Sequence, residues 1–181
     1  MIKFFAAAAL VVFPIFQEGK WRKVKVGENI SMSVPGDFYD MTPEDIAQRY
    51  PSVRSPLGAY TNSQRLVDIS VKVSATQWRT EDTPIAKEFF KSSIMNLYDR
   101  VEFSKEDVET INGKDFIVFE FDSRINPDQT LSNREAVRKY NYVMYRIQDM
   151  TTYVFTFQCP VQLKDQWQEP AEEVMQSVKI K

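Results

Sequence analysis

The chain has no histidine and a single cysteine among its 181 residues. Without histidine, neither a Ser-His-Asp nor a Cys-His nucleophile can be assembled from this chain alone. A zinc site loses its main nitrogen ligand, and one thiol cannot replace it. Acid–base chemistry is left to carboxylates, Lys, Tyr or a borrowed cofactor. Positive charge is not in excess either: 23 Lys and Arg stand against 25 Asp and Glu, a net charge of −2. That balance offers no general attraction to a phosphate backbone and speaks against nucleic acid as a partner. Long apolar runs are also missing. The longest such stretch at the start, Phe4 to Phe16, is 13 residues, well short of the roughly 20 that span a bilayer. No internal repeat and no low-complexity segment occurs.

What is present suits one globular domain. Hydrophobic residues make up 43% and charged residues 27%, and 13 Phe, 8 Tyr and 3 Trp supply bulk for a sizeable core. The opening MIKFFAAAALVVFPIFQEGKW reads as an export leader over residues 1–17. Lys3 forms the positive start, the apolar run follows, and Pro14 and Gln17 end it. Bulky Phe16 occupies a position where small residues are usual, so the cut falls between Phe16 and Lys20. No cysteine lies near it to carry a lipid. The remainder, 18–181, is expected to be a single domain that is exported, periplasmic or secreted, with no membrane span once the leader is gone.

Period-two alternation marks the strands. Val24 and Val26 oppose Lys23 and Lys25, and Ile30, Met32 and Val34 oppose Ser31 and Ser33. A turn through Gly27, Glu28 and Asn29 joins these two as a hairpin. Val67, Ile69, Val71 and Val73 oppose Asp68, Ser70, Lys72 and Ser74. Asn112-Gly113 predicts a two-residue hairpin loop, because both central positions need positive φ. That register sets Val108 opposite Ile117 and Lys105 opposite Glu120, a cross-strand charge match. Phe116 to Phe119 is apolar on both faces and suits a central strand. VRKYNYVMYRI and TTYVFTFQC follow as two strands joined by a turn at Gln148 to Met150. Asp122 to Ala136 reads as a long polar loop.

Three helices are predicted. The first opens with Thr42 as N-cap and Pro43 at the first helical position, with Glu44 and Asp45 in its first turn. The second repeats the device at Thr83 and Pro84, with an apolar stripe of Ala86, Phe90, Ile94 and Leu97 widened by Ile85 and Phe89. The third carries Trp167, Ala171, Val174, Met175 and Val178 on one face, and Pro170 divides it into two pieces. Consecutive strands with tight turns give an α+β fold, a mostly antiparallel sheet with helices laid on it.

Cys159 shares a strand face with Tyr153, Phe155 and Phe157, the core-facing set. A thiol there is a small hydrophobe with a raised pKa, inert as a nucleophile. Asp37, Asp40, Glu44 and Asp45 cluster in GDFYDMTPED, but their spacing matches no calcium loop and half of them suit a helix start. No metal and no cofactor is expected. RYPSVRSPLGAYTNSQR gathers Arg49, Arg54 and Arg65 with Tyr50 and Tyr60 in a Pro-containing loop, chemistry that holds anionic groups. Trp78 follows a strand near a helix start, as a lid on the core or an anchor for a partner. Trp21 and Trp167 read as core-facing. Arg49, Arg54, Tyr60, Arg65 and Trp78 are the candidate ligand- or partner-binding residues.

The order of these elements resembles a known family. An N-terminal strand pair ends in Val34-Pro35 before Asp37-Phe38. The helix after Thr83-Pro84, the NGKDFIVFEF hairpin strand and the Tyr-rich strand follow, then TYVFTFQCP, a Trp-bearing helix and SVKIK. Over Trp21 to Lys181 this is similar to the PsbP-like family, whose fold is shared by an extrinsic lumenal subunit of photosystem II, by a Ran-binding nuclear import factor and by many exported bacterial proteins. The resemblance implies an antiparallel sheet between helices, an α/β/α sandwich, and a mostly non-enzymatic role; no binding residue of the family maps onto this chain. The function expected is an exported, non-catalytic accessory or binding module acting through contacts with another exported or envelope protein. The alternative is a carrier of a small apolar or anionic ligand, and a hydrolase using paired carboxylates finds no spacing to support it.

Overall fold

The computed structural model describes residues 21–51, 54–127 and 135–181. The leader expected over residues 1–17 lies outside them, and so does the middle of the expected Asp122 to Ala136 loop, residues 128–134. In chain order the elements are β1 (Trp21–Val26), β2 (Ile30–Pro35), β3 (Tyr39–Asp40), α1 (Pro43–Arg49), β4 (Gly58–Thr61), β5 (Asp68–Val73), α2 (Thr83–Leu97), β6 (Arg100–Ile111), β7 (Lys114–Ile125), β8 (Val137–Gln148), β9 (Thr151–Pro160), α3 (Lys164–Gln176) and β10 (Lys179–Ile180). Seven strands form one antiparallel sheet in the order β3-β4-β5-β9-β8-β7-β6. Three form a second antiparallel sheet, β1-β2-β10. No helix among the described residues is long and apolar enough to cross a membrane.

The hairpins follow their turn chemistry. Ile111 pairs with Lys114 across Asn112-Gly113, whose φ angles are 49° and 76°, the left-handed pair that such a loop demands. Val108 faces Ile117 and Lys105 faces Glu120. The charge match does not form. Lys105 pairs instead with Glu109 at 2.7 Å and with Glu172 of α3 at 3.7 Å. Glu120 accepts hydrogen bonds from Tyr140 Oη at 3.0 Å and from Gln168 Nε2 of α3 at 2.6 Å. Glu109 on the same strand takes Lys105, and Gln168 of α3 and Tyr140 of β8 take Glu120. The β8–β9 turn is Asp149-Met150, both at positive φ. The polar segment expected from Asp122 keeps its strand pairing to Ile125, opposite Val137.

One face of the large sheet carries α3 together with the small sheet. Met32, Val34, Phe116, Tyr140, Phe155, Phe157, Cys159, Val174 and Met175 are buried between them, and Trp167 packs edge-on against Phe38, ring centres 5.5 Å apart. The other face carries α2, whose Ala86, Phe90 and Ile94 cover Ile117, Phe119, Phe121, Val143 and Ile147. Phe90 stacks on Tyr145 with ring centres 4.0 Å apart. The sandwich therefore has helices on both sides, with the N-terminal hairpin and the last strand sharing one of them.

Four local readings are corrected. Thr83 is the first residue of α2 rather than its cap, since residues Thr80–Asp82 already form a 3-10 turn and Thr83 Oγ1 donates to the Thr80 carbonyl at 2.6 Å. Helix α3 is continuous through Pro170, because Ala171, Val174 and Met175 anchor it on the sheet, offsetting the roughly 3 kcal/mol that an interior proline costs. Trp21 is exposed, in phase with the outward Lys23 and Lys25 rather than with Val24 and Val26. Strand β5 does not alternate: Asp68 and Ser70 are buried along with Ile69 and Val71, because α1 covers their face.

Candidate binding site

On the α2 side of the large sheet, pairing sets the side chains in rows across the strands. One row runs Lys72, Val154, Tyr145, Ile117; the next runs Ser70, Thr156, Val143, Phe119; the third runs Asp68, Gln158, Asn141, Phe121. Each row is polar or charged at β5 and apolar at β7. Helix α2 sits on the apolar end. The C-terminal end of α1 sits on the polar end, where Arg49 Nη1 meets Asp68 Oδ1 at 2.5 Å and the Lys72 ammonium lies 4.1 Å from the centre of the Tyr50 ring. Between the two helices the floor strands β9 and β8 are open, leaving a trough of about 630 Å³.

The wall that α2 presents explains its excess of apolar residues. Ala86, Phe90 and Ile94 complete the core stripe. Phe89, Ser93 and Leu97 fall four residues apart on the neighbouring strip and line the trough. Phe89 is 42% exposed and Leu97 69%. Leu97, expected in the core stripe, is instead exposed at the trough, and Ile85 is exposed too.

Charge on the trough is lopsided. Arg49, Lys72 and Lys139 line it, with no carboxylate among the described lining residues, and the nearby Asp68 is already engaged by Arg49, by Thr61 Oγ1 at 2.8 Å and by Gln158 Nε2 at 3.4 Å. Among the described residues no carboxylate lies within ion-pair distance of Lys72 or Lys139. Burial pushes the Lys72 ammonium below the ordinary lysine range. Burial first, and the Asp68 charge second, push the Tyr50 phenol up to about 12.

The candidate residues divide. Arg49 and Arg65 meet: Arg49 Nη2 donates to the Arg65 carbonyl at 3.0 Å, while Arg65 pairs with buried Asp45 of α1. Arg65 has φ +58°, and Asn62 Oδ1 accepts from the backbone of Leu66 at 3.0 Å and of Val67 at 3.2 Å. Arg54 is exposed on the connection before β4. Tyr60 is buried in the core on the opposite face of the sheet, with the Arg22 guanidinium 5.9 Å from its ring centre. Trp78 packs on α2, ring centres 5.3 Å from Phe89 and 6.2 Å from Phe90, and its buried Nε1 has no hydrogen-bond partner among the described residues. Of the acidic cluster, Asp45 is taken by Arg65 and Asp40 stands 3.6 Å from Arg22. No group of three or more metal-ligating side chains converges among the described residues.

Lys72, Lys139, Asn141, Thr156 and Gln158 were not singled out in the sequence. Each belongs to the polar phase of its strand, and only the β5-β9-β8 pairing assembles them. Cys159 is remote from this chemistry. It is 1% exposed on the other face, and burial, aided by the Asp122 charge, pushes its thiol up to about 12.

No family model and no curated protein matches the chain. Solved structures do. Cyanobacterial PsbP (CyanoP) from Synechocystis sp. PCC 6803 aligns at TM-score 0.60 and 9% identity, over 97% of this chain and 98% of that one. The Ran-binding protein Mog1p of Saccharomyces cerevisiae aligns at 0.56 and 16% identity, over 89% and 95%. LpqN of Mycobacterium tuberculosis, involved in cell envelope biogenesis, aligns at 0.54 and 12% identity, over 89% and 90%. The chain has a PsbP-like fold. Identity this low establishes the architecture, and function has to be argued from the surface itself.

Proposed function

We propose that this is a non-catalytic accessory or binding protein, exported under the direction of residues 1–17 and working through contact with another exported or envelope protein. The observation that carries the protein-contact reading is a pair of exposed leucines on the two connections that flank β4, Leu57 before it and Leu66 after it. The connection after β4 is pinned to α1 by the Arg65–Asp45 pair and by Arg49 on the Arg65 carbonyl, yet it holds Leu66 out to solvent at 48% exposure. A loop ordered in advance loses little entropy on binding, and apolar groups on such a loop are a recurrent mark of interaction sites. Arg54 and the half-exposed Arg65 add charge at its rim. Mog1p is a Ran-binding protein, so one neighbour of this fold engages a protein partner. LpqN's part in cell envelope biogenesis fits an exported setting. A non-catalytic role accords with a thiol sealed in the core and with Asp68, Asp45 and Glu120 each committed to partners.

A photo-crosslinking residue at Leu66 in the producing cell tests this. One discrete adduct is expected, lost when Leu57→Asp is added and absent from a crosslinker at Glu28 on the β1–β2 turn. Equal adducts at both positions, or none at Leu66, reject the surface. N-terminal sequencing of the exported product should begin between Gln17 and Lys20; protein retained inside the cell and beginning at Met1 would reject the leader. The carrier reading is favoured by a separate observation, the trough between α1 and α2.

A further inference from the structure

We propose that the trough binds a single-chain amphiphile with an anionic head, the head at Lys72 and the chain lying across β9 and β8 toward Phe89 and Leu97 of α2. The inference rests on the carrier reading and names its ligand. Three features of the trough agree. Its polarity runs in one direction, from Lys72 and Ser70 on β5 to Tyr145, Val143 and the α2 wall. Its cations exceed its carboxylates. Arg49 is spent on Asp68 and on the Arg65 carbonyl, whereas the half-buried Lys72 faces the Tyr50 ring and no carboxylate among the described residues. An ammonium partly stripped of water and left without a counter-charge favours an anion in its site. Its apolar wall, Phe89 and Leu97, is surplus to the core that Ala86, Phe90 and Ile94 complete.

Size fits as well, since about 630 Å³ falls within the roughly 300–1,000 Å³ of small-molecule sites. A polypeptide adding as a strand does not fit: β5, β9 and β8 are all interior to the sheet and their edges are already paired.

Calorimetric titration of the intact protein, below micelle formation, separates the possibilities. The probes share one chain length: dodecanoate, dodecyl phosphate, dodecanol and dodecyltrimethylammonium. Binding of either anion is expected, with backbone amide NMR shifts confined to β5, β8, β9 and α2, and the pair distinguishes a carboxylate head from a phosphate head. Lys72→Glu should weaken the anions by about tenfold, the loss of one charge-assisted contact, and Lys72→Met should do nearly as much, while Lys72→Arg retains them. Leu97→Asp should weaken anion and dodecanol alike. Dodecyltrimethylammonium binding as tightly as dodecanoate, or Lys72→Glu and Lys72→Met both without effect, overturns the anionic head and leaves the carrier reading intact. No binding by any of the four overturns both.

Discussion

The side-chain amide of Asn112, in the turn between β6 and β7, donates to the carbonyl of Val178 at 2.8 Å and to that of Gln176 at 3.1 Å. One of the two-residue hairpins of the large sheet therefore also holds the end of α3 and the residue before β10. Asn112 has two duties, a backbone at φ 49° and two hydrogen bonds, and substitution separates them. Asn112→Gly keeps the turn and loses the bonds, a cost of about 1–2 kcal/mol. Asn112→Ala loses both and strains the left-handed position, so it should cost about 1 kcal/mol more. Urea denaturation checks the order; Asn112→Gly as stable as the unaltered protein would mean the bonds contribute nothing, and equal losses in the two variants would mean the left-handed backbone costs alanine nothing.

Cys159 supplies a prediction about pH. Its thiol is held protonated in the folded state up to about 12, against 9.0 for the ordinary group, chiefly by burial and then by the Asp122 charge. A raised folded-state value gives stability that is complete below the unfolded pKa and is lost as pH climbs through the folded one. Stability should therefore fall between about pH 9 and pH 12, and the fall should be shallower in Cys159→Ala. At pH 8 a thiol reagent should label the urea-unfolded chain in minutes and the native protein orders of magnitude more slowly. Comparable rates would place the sulfur at the surface.

Helix α3 is fastened to the sheet at Glu120, a buried carboxylate whose partners are Tyr140 and Gln168. Tyr140→Phe removes one donor and leaves the acidic group under-satisfied, which should cost about 1–3 kcal/mol. Adding Glu120→Gln lets a neutral amide stand in the same place, and part of the loss should return. A double-mutant cycle by chemical denaturation measures this coupling; purely additive effects would show that the two groups act separately.

What could be read from the sequence was whatever is decided within a few residues. Asn112-Gly113 fixes its turn by its own φ angles, and the Tyr153, Phe155, Phe157, Cys159 phase gives the buried face of β9 without reference to any other strand. Thr42 caps α1, accepting from the Asp45 backbone at 3.2 Å. What depends on a distant element was hidden. The burial of Asp68 and Ser70 comes from α1 crossing over β5, and Lys105 finds Glu172 only because α3 returns beside β6. Leu97 follows Ile94 at a helical spacing but falls on the strip of Phe89 and Ser93, which faces the trough. Of the trough, Arg49 was visible as an Arg near Tyr50. Lys72, Thr156 and Asn141 were not, because the paired positions of β5 and β9 lie 80 to 90 residues apart, from Val73–Tyr153 to Asp68–Gln158, and each looked like an ordinary outward polar residue. The resemblance to a PsbP-like arrangement came through because element order survives where side-chain identity does not.

The two strips of α2 should respond in opposite ways to substitution. Ile94 is 3% exposed and packed over Phe119 and Phe121, so Ile94→Ala should cost about 2–5 kcal/mol through lost burial and the cavity left behind. Leu97, three residues on, is 69% exposed. Leu97→Asp should change stability by no more than about 0.5 kcal/mol, and adding Phe89→Ser should cost only the packing of that ring on Trp78, less than Ile94→Ala costs. A helix that keeps its fold while shedding two large apolar groups has no structural need of them. That outcome would leave the open trough as the reason for their presence. A loss from Leu97→Asp comparable to that of Ile94→Ala would instead make the strip part of the core and remove the apolar wall on which ligand binding depends.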